Sequence, residues 1–271
     1  MKRSPQIAPG NRLLRALGAL RPVGVLGLLC LPLAWSNPAW AQDAPPKYPS
    51  TPPVAQYLIA DQASEIALAR TAAAKSVSDN ASILVLGKDG YVTAVQGSNG
   101  FTCYVGRSWE KDFDDPEFFN PHGRTPQCWN AAATSSVLPD ILKRAQWVLA
   151  GVSRDEMAAR TKAEVAAHEV STPAPGSMVF MLSKEQYIND PVPGPGGESN
   201  WLPHVMFFMP AAAPADGSAW GANMHGSPIF STTSDVEPIT TYFVLAPKWS
   251  DGTLSPADVV STPKPDEQHH H

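Results

Sequence analysis

The run Ile83-Leu84-Val85-Leu86-Gly87-Lys88-Asp89-Gly90-Tyr91-Val92-Thr93-Ala94-Val95, followed by Asn99-Gly100-Phe101-Thr102-Cys103-Tyr104-Val105, decides the fold class of this chain. Three segments rich in β-branched and aromatic residues are separated by Asp-Gly and Asn-Gly. These pairs supply the positive backbone φ that tight hairpins require. The pattern predicts a three-stranded antiparallel meander. Alternation along the third segment places Phe101, Cys103 and Val105 on one face, the buried one.

Upstream, residues 54–75 carry Leu58, Ile59, Ala63, Ile66, Ala69 and Ala73 at helical spacing behind Pro52-Pro53, which predicts an amphipathic helix. Downstream, Trp109 to Asn130 is proline-punctuated and aromatic-rich, without a clear period. A helix then runs from about Val137 to Ala150, with Leu138, Ile141, Leu142, Ala145 and Leu149 inward. Pro139 fits its first turn, where N–H groups have no intrahelical acceptor. A second helix begins at Ser153, which forms a capping-box pattern with Glu156.

The last third reads as strands: Met178 to Leu182, His204 to Met209, Pro228 to Ser231 and Ile239 to Leu245. Val205-Met206-Phe207-Phe208-Met209 is apolar on both faces, as in a strand covered on both sides. This order of elements lacks βαβ alternation. It predicts an α+β domain: a mostly antiparallel sheet with the N-terminal helix and the central helix pair packed on one face.

The remaining segments set the organisation. Residues 1–41 hold Lys2, Arg3, Arg12, Arg15 and Arg21 with no acidic residue, then an apolar run from Val23 to Leu33, then Ala39-Trp40-Ala41. A basic region, a short apolar stretch and an A-x-A site predict a secretory signal peptide cleaved after Ala41. The apolar run, broken by Gly27 and Pro32, is too short to span a bilayer. Leu29 ahead of Cys30 argues against a lipid anchor. Residues 42–53 read as a proline-rich linker, 54–250 as one globular domain and 251–271 as a flexible tail. Pro191-Val192-Pro193-Gly194-Pro195-Gly196-Gly197 reads as an exposed loop.

Of 20 basic and 25 acidic residues, residues 1–41 take five basic ones, leaving a formal charge of −10 downstream. Such a surface repels phosphate backbones and anionic membranes, and the sequence shows no compensating basic patch. Neither nucleic acid nor stable membrane insertion after signal cleavage is expected. Cys103 and Cys128 are the two cysteines left after Cys30 departs, and in an oxidising compartment such a pair is expected to form a disulfide. A periplasmic or secreted location follows.

Catalytic motifs are fragmentary. Gly176-Ser177, Gly217-Ser218 and Gly226-Ser227 do not complete the Gly-x-Ser-x-Gly elbow. Ser108-Trp109-Glu110-Lys111 and Ser78-Asp79-Asn80 match two elements of penicillin-recognising enzymes in reversed order, without the Lys-Thr-Gly element. His168-Glu169 begins a zinc-protease helix, but Thr172 stands where the second histidine belongs. Gly194-Pro195-Gly196-Gly197 has no flanking strand and helix to make a phosphate cradle. The carboxylates between Glu110 and His122 lack EF-hand spacing and are interrupted by Phe113, Phe118 and Phe119, so they read as a solvated loop anchored by aromatics. The terminal Asp266-Glu267-Gln268-His269-His270-His271 would attract metal as any floppy tail does.

One grouping carries more chemistry. His204 opens the two-sided apolar strand beside Trp201, and Trp220 to Ser227 forms a glycine-flanked loop. If the strands pair, His204, His225 and Ser227 could run an acyl transfer, with Trp201, Trp220 and Asn223 binding the ligand. The bland reading is histidines bonded to backbone at strand ends. An imidazole entering so apolar a strand needs a buried partner, which singles out His204. No metal site and no cofactor is expected. The leading expectation is a non-catalytic exported module that binds a small molecule or an envelope protein; the alternative is a hydrolase or transferase centred on His204, His225 and Ser227.

Overall fold

The computed structural model describes residues 47–190, 201–211, 219–225 and 227–255. Residues 1–41, read above as a signal segment, the first five residues of the proline-rich linker, the Pro191–Gly197 loop and residues 256–271 of the tail lie outside the described residues. In chain order the elements are α1 (Gln62–Arg70), α2 (Lys75–Ser78), β1 (Ser82–Gly87), β2 (Gly90–Val95), β3 (Thr102–Gly106) and β4 (Thr125–Trp129). They continue with α3 (Ala131–Ser136), α4 (Leu138–Leu149), α5 (Arg154–Ala166), β5 (Met178–Met181), β6 (His204–Pro210), β7 (Ile229–Thr233) and β8 (Ile239–Leu245). The strands form one sheet in the order β2-β1-β3-β4-β5-β6-β8-β7. The fold is α+β, and all pairings are antiparallel except β1 with β3.

That exception corrects the meander. Asp89-Gly90 does close a hairpin, with Gly87 opposite Gly90. Asn99-Gly100 does not. The chain instead crosses the start of β1 and lays β3 parallel on its other side, pairing Ser82 with Thr102 and Ile83 with Cys103. The crossing is held where Ser98 N–H donates to the Asn80 carbonyl (2.8 Å) and Ser82 N–H to that of Phe101 (2.8 Å). Gly97 makes this approach possible, since a Cβ there would sit 2.1 Å from the Ser82 nitrogen.

β4 occupies part of the segment that showed no period. Pro126 removes one ladder donor, but β5 pairs only with Cys128 and Trp129, so Pro126 has a neighbouring strand on one side alone. The N-terminal helix is shorter than its apolar stripe suggested. Asp61 caps it, its carboxylate accepting from Ala63 N–H (3.2 Å) and Ser64 N–H (3.1 Å), and residues 54–56 form a separate turn. The start of α5 is as predicted: Ser153 Oγ accepts from Glu156 N–H at 3.3 Å.

The helices do not form one layer. Ala69, Ala72 and Ala73, in and just after α1, pack with Ile83, Cys103, Val105 and Cys128, with Phe101 and Phe180 alongside. Ala133, Val137 and Leu138 of the central helices pack with Tyr104, Trp129, Val179 and Phe208, with Leu84 and Met206 alongside. These two sets alternate along the same strands, so α1 covers one face and α3–α4 the other. The physical reason is that β1 and β3 carry apolar side chains on both faces and so require two covers. Cys103 and Cys128 are register partners across β3 and β4, buried, and at disulfide distance.

A buried ion pair fastens the α1 side to the sheet. Glu65 accepts from Arg107 Nη2 (2.9 Å) and from Leu86 N–H (3.2 Å). Arg107 also donates through Nε to the Tyr57 carbonyl (2.9 Å) and through Nη1 to that of Val105. Both side chains are almost fully excluded from solvent, and their hydrogen bonds offset the cost of desolvation.

Candidate ligand-binding groove

The groove arises from how α3 and α4 diverge. Asn130 caps α3, accepting from Ala133 N–H at 2.9 Å, and is itself tied to the sheet because Met178 N–H donates to the same oxygen at 3.2 Å. Val137 (φ −119°, ψ −46°) ends α3 and caps α4, and Pro139 lies in the first turn of the next helix. From this junction α3 seats on β4 and β5, whereas α4 leans on β2 and on residues 108–110. Between them Leu84 of β1 stays partly exposed beside the buried Thr102 of β3. The result is a groove of about 510 Å³ lined by Leu84, Thr102, Thr134, Leu138, Pro139, Leu142, Lys143 and Gln146.

Its floor and walls are chiefly apolar, with the Thr102 and Thr134 side chains, the Gln146 amide and the Lys143 ammonium as polar fittings. The volume falls within the range of small-molecule sites, and the groove is open to solvent on one side. Lys143 is not a free cation: it donates to Glu164 at 2.8 Å and lies 3.3 Å from the Asp140 carboxylate. Beyond it a narrow recess is lined by Asp140, Arg144, Trp147, Glu164 and Glu237, with Arg144 paired to Glu237.

The residues singled out from sequence lie elsewhere. His204 is buried, with Met181 opposite on β5 and Leu245 opposite on β8. Its Nδ1 lies 2.8 Å from the Leu202 carbonyl, so Nδ1 carries the proton and Nε2 is an acceptor, with no hydrogen bond to any described residue. Burial holds the imidazole below its ordinary pKa, only partly countered by that hydrogen bond. The ring packs on Trp201 (5.4 Å) and Phe243 (5.7 Å).

Ser227 Oγ accepts from Ile229 N–H at 3.1 Å, and His225 is exposed. β8 runs between the strand of His204 and the entry to β7, which separates their backbones by about 10 Å at ordinary strand spacing. Among the described residues no hydrogen bond joins His204, His225 and Ser227. Trp220, 54% exposed, stacks on Tyr242 (4.8 Å) and meets Phe207, while Trp201 meets Phe243. Tyr242 and Phe243 alternate, so the two tryptophans stand on opposite faces of the sheet. Asn223 mimics a strand at the β7 edge: its Oδ1 accepts from Ser231 N–H (3.0 Å) and its Nδ2 donates to the Ser231 carbonyl (3.3 Å).

Sequence reasoning missed Glu110, a carboxyl whose pKa burial pushes up to about 7 against the pull of Gln127 and the Arg107 N–H. Glu110 accepts from Gln127 Nε2 at 2.5 Å and from Arg107 N–H at 3.3 Å, and Gln127 in turn accepts from Trp129 Nε1 at 3.1 Å. Gly106 leaves room for this meeting: a Cβ there would lie within 2.6 Å of both Glu110 and Gln127. The segment 111–122 is also more than a solvated loop. The Asp190 carboxylate accepts from Tyr48 (2.7 Å), Asn120 (3.0 Å) and Tyr187 (2.9 Å) and pairs with Lys47, while Glu117 receives the Asp190 N–H.

Among the described residues no three His, Cys, Asp or Glu side chains gather as metal ligands, and no helix is long and apolar enough to cross a membrane. Comparison with protein-family models, with curated proteins and with solved structures gives no match to this chain.

Proposed function

We propose that this is an exported binding module, acting in the periplasm or outside the cell, whose α3–α4 groove takes a small, largely apolar ligand. The observation that carries the reading is the groove itself, open to solvent and lined mainly by Leu84, Leu138, Pro139 and Leu142. The buried Cys103–Cys128 pair at disulfide distance is compatible with an oxidising compartment. The hydrolase alternative draws less support. Ser227 is engaged with backbone, and His204 faces aromatic rings with no carboxylate or hydroxyl bonded to it.

The test is saturable binding of a neutral apolar fluorophore, N-phenyl-1-naphthylamine, to the wild type and to Leu142→Trp and Thr134→Trp, which fill the groove from two sides. Binding lost in both folded variants supports the reading. Binding that survives both, or that never saturates, overturns it.

A further inference from the structure

We infer a second binding site, separate from the groove: the solvent-facing indole of Trp220 is a stacking platform for an uncharged sugar ring. The backbone singles this residue out. Trp220 has φ 64°, a left-handed conformation that is strained for a bulky side chain, and Gly221 (67°) and Asn223 (61°) lie in the same region. Of the three non-glycine residues with positive φ among the described residues, two belong to this one turn. The turn is firmly tied. Asn223 N–H donates to the Ile229 carbonyl (3.1 Å), the Asn223 side chain is bonded to Ser231, and Ser227 N–H donates to the Met224 carbonyl (2.9 Å). These bonds keep Trp220 over the sheet in a geometry that its own backbone disfavours.

What is held there is flat, apolar and open. Phe207, Tyr242 and Ser231 are register partners across β6, β8 and β7. The indole stacks on Tyr242, with 27° between the ring planes, and its centroid lies 6.3 Å from that of Phe207. One face of the ring is thereby covered; with 54% of the residue exposed, the other meets solvent. The next pair on this side of the sheet, Thr233 and Thr240, brings two hydroxyls 3.0 Å apart. No Asp, Glu, Lys or Arg occurs from Ala219 to Ser234, although residues 42–271 carry a formal charge of −10. A pyranose matches these conditions. Its face of C–H groups lies on the electron-rich face of an aromatic ring, and its rim of hydroxyls is uncharged. A charged ligand would find no counter-ion in this stretch.

The experiment is saturation-transfer NMR on residues 42–271 with cellotriose, maltotriose and triacetylchitotriose in turn, observing the ring C–H protons of the sugar. The expected result is saturable transfer to at least one of the three. Its affinity falls about tenfold or more in Trp220→Gly and is kept in Trp220→Tyr and in Trp201→Ala. Glycine accepts φ 64° without strain, so Trp220→Gly removes the ring and keeps the turn, while Trp201 stands on the opposite face of the sheet. No saturable transfer to any of the three sugars overturns the site, whether or not the variants fold. Equal affinity in Trp220→Gly, or loss in Trp201→Ala instead, overturns the assignment to Trp220. A saturable response to decanol that vanishes in Trp220→Gly, with none to the sugars, replaces the sugar by an apolar partner and overturns the inference. The groove is judged separately, by its dye.

Discussion

Replacing Glu110 by glutamine should change the sign of its effect on stability with pH. The folded carboxyl titrates at about 7 against an ordinary value of 4.5, so the native state holds its proton more tightly than the unfolded chain does. Ionising it inside the protein therefore costs stability progressively from pH 4.5 to 7, reaching about 3 kcal/mol at 1.36 kcal/mol per unit. Glutamine removes that cost. It also sets an amide N–H₂ against either the Gln127 Nε2 or the Arg107 N–H, a lost hydrogen bond worth about 1 kcal/mol. The variant should be about 1 kcal/mol less stable than wild type at pH 4 and about 2 kcal/mol more stable at pH 8. The assay is urea unfolding of both proteins at pH 4, 5.5, 7 and 8, followed by tryptophan fluorescence. A difference that is constant across this range would refute the reasoning, because it would mean that Glu110 ionises equally easily in both states.

Removing one partner of the buried pair by Glu65→Ala should cost about 3–5 kcal/mol, whereas Glu65→Leu/Arg107→Met should recover most of the loss; equal damage in both, by urea unfolding, would contradict the account of that pair. His204 titrates below its unfolded value of 6.5, so its contribution is intact above that pH and is lost as pH falls through it; in His204→Phe the loss between pH 6.5 and 5 should shrink relative to wild type, and parallel curves would speak against a neutral buried imidazole. A fluorophosphonate probe should label neither wild type nor Ser227→Ala. Labelling that disappears with the hydroxyl would restore the hydrolase reading.

The sequence was most informative where local chemistry and packing agree. Asp89-Gly90 announced its hairpin, Ser153-x-x-Glu156 its helix start, and the alternation of Phe101, Cys103 and Val105 their common face. It misled where a tertiary contact outweighs a local signal. Asn99-Gly100 has hairpin chemistry, and Gly100 does adopt positive φ (77°), yet the close seat of Gly97 on Ser82 sends the chain across β1. Pro126 hid β4 because its missing donor matters only on a side where no strand pairs.

The candidate site was less legible in the sequence, for a physical reason. Histidine and tryptophan near a glycine-rich loop are visible as chemistry, but whether β8 separates them depends on strand order, which no local pattern encodes. The groove is a product of two helices diverging at Val137, and its lining residues look like ordinary core positions in the chain. Glu110 was legible only as one of several crowded acids. Its burial follows from Gly106 and Gln127, which meet it through the β3–β4 pairing.

The proposed function stands or falls with ligand binding in the space between α3–α4 and the sheet. The most direct measurement is a methyl NMR titration of residues 42–271 with N-phenyl-1-naphthylamine, decanol and decanoate in turn. The account predicts saturable shifts concentrated on the methyls of Leu84, Leu138 and Leu142 with at least one of them. Saturable shifts confined to methyls around Trp201 and Trp220, or no saturable shift with any of the three, would contradict it.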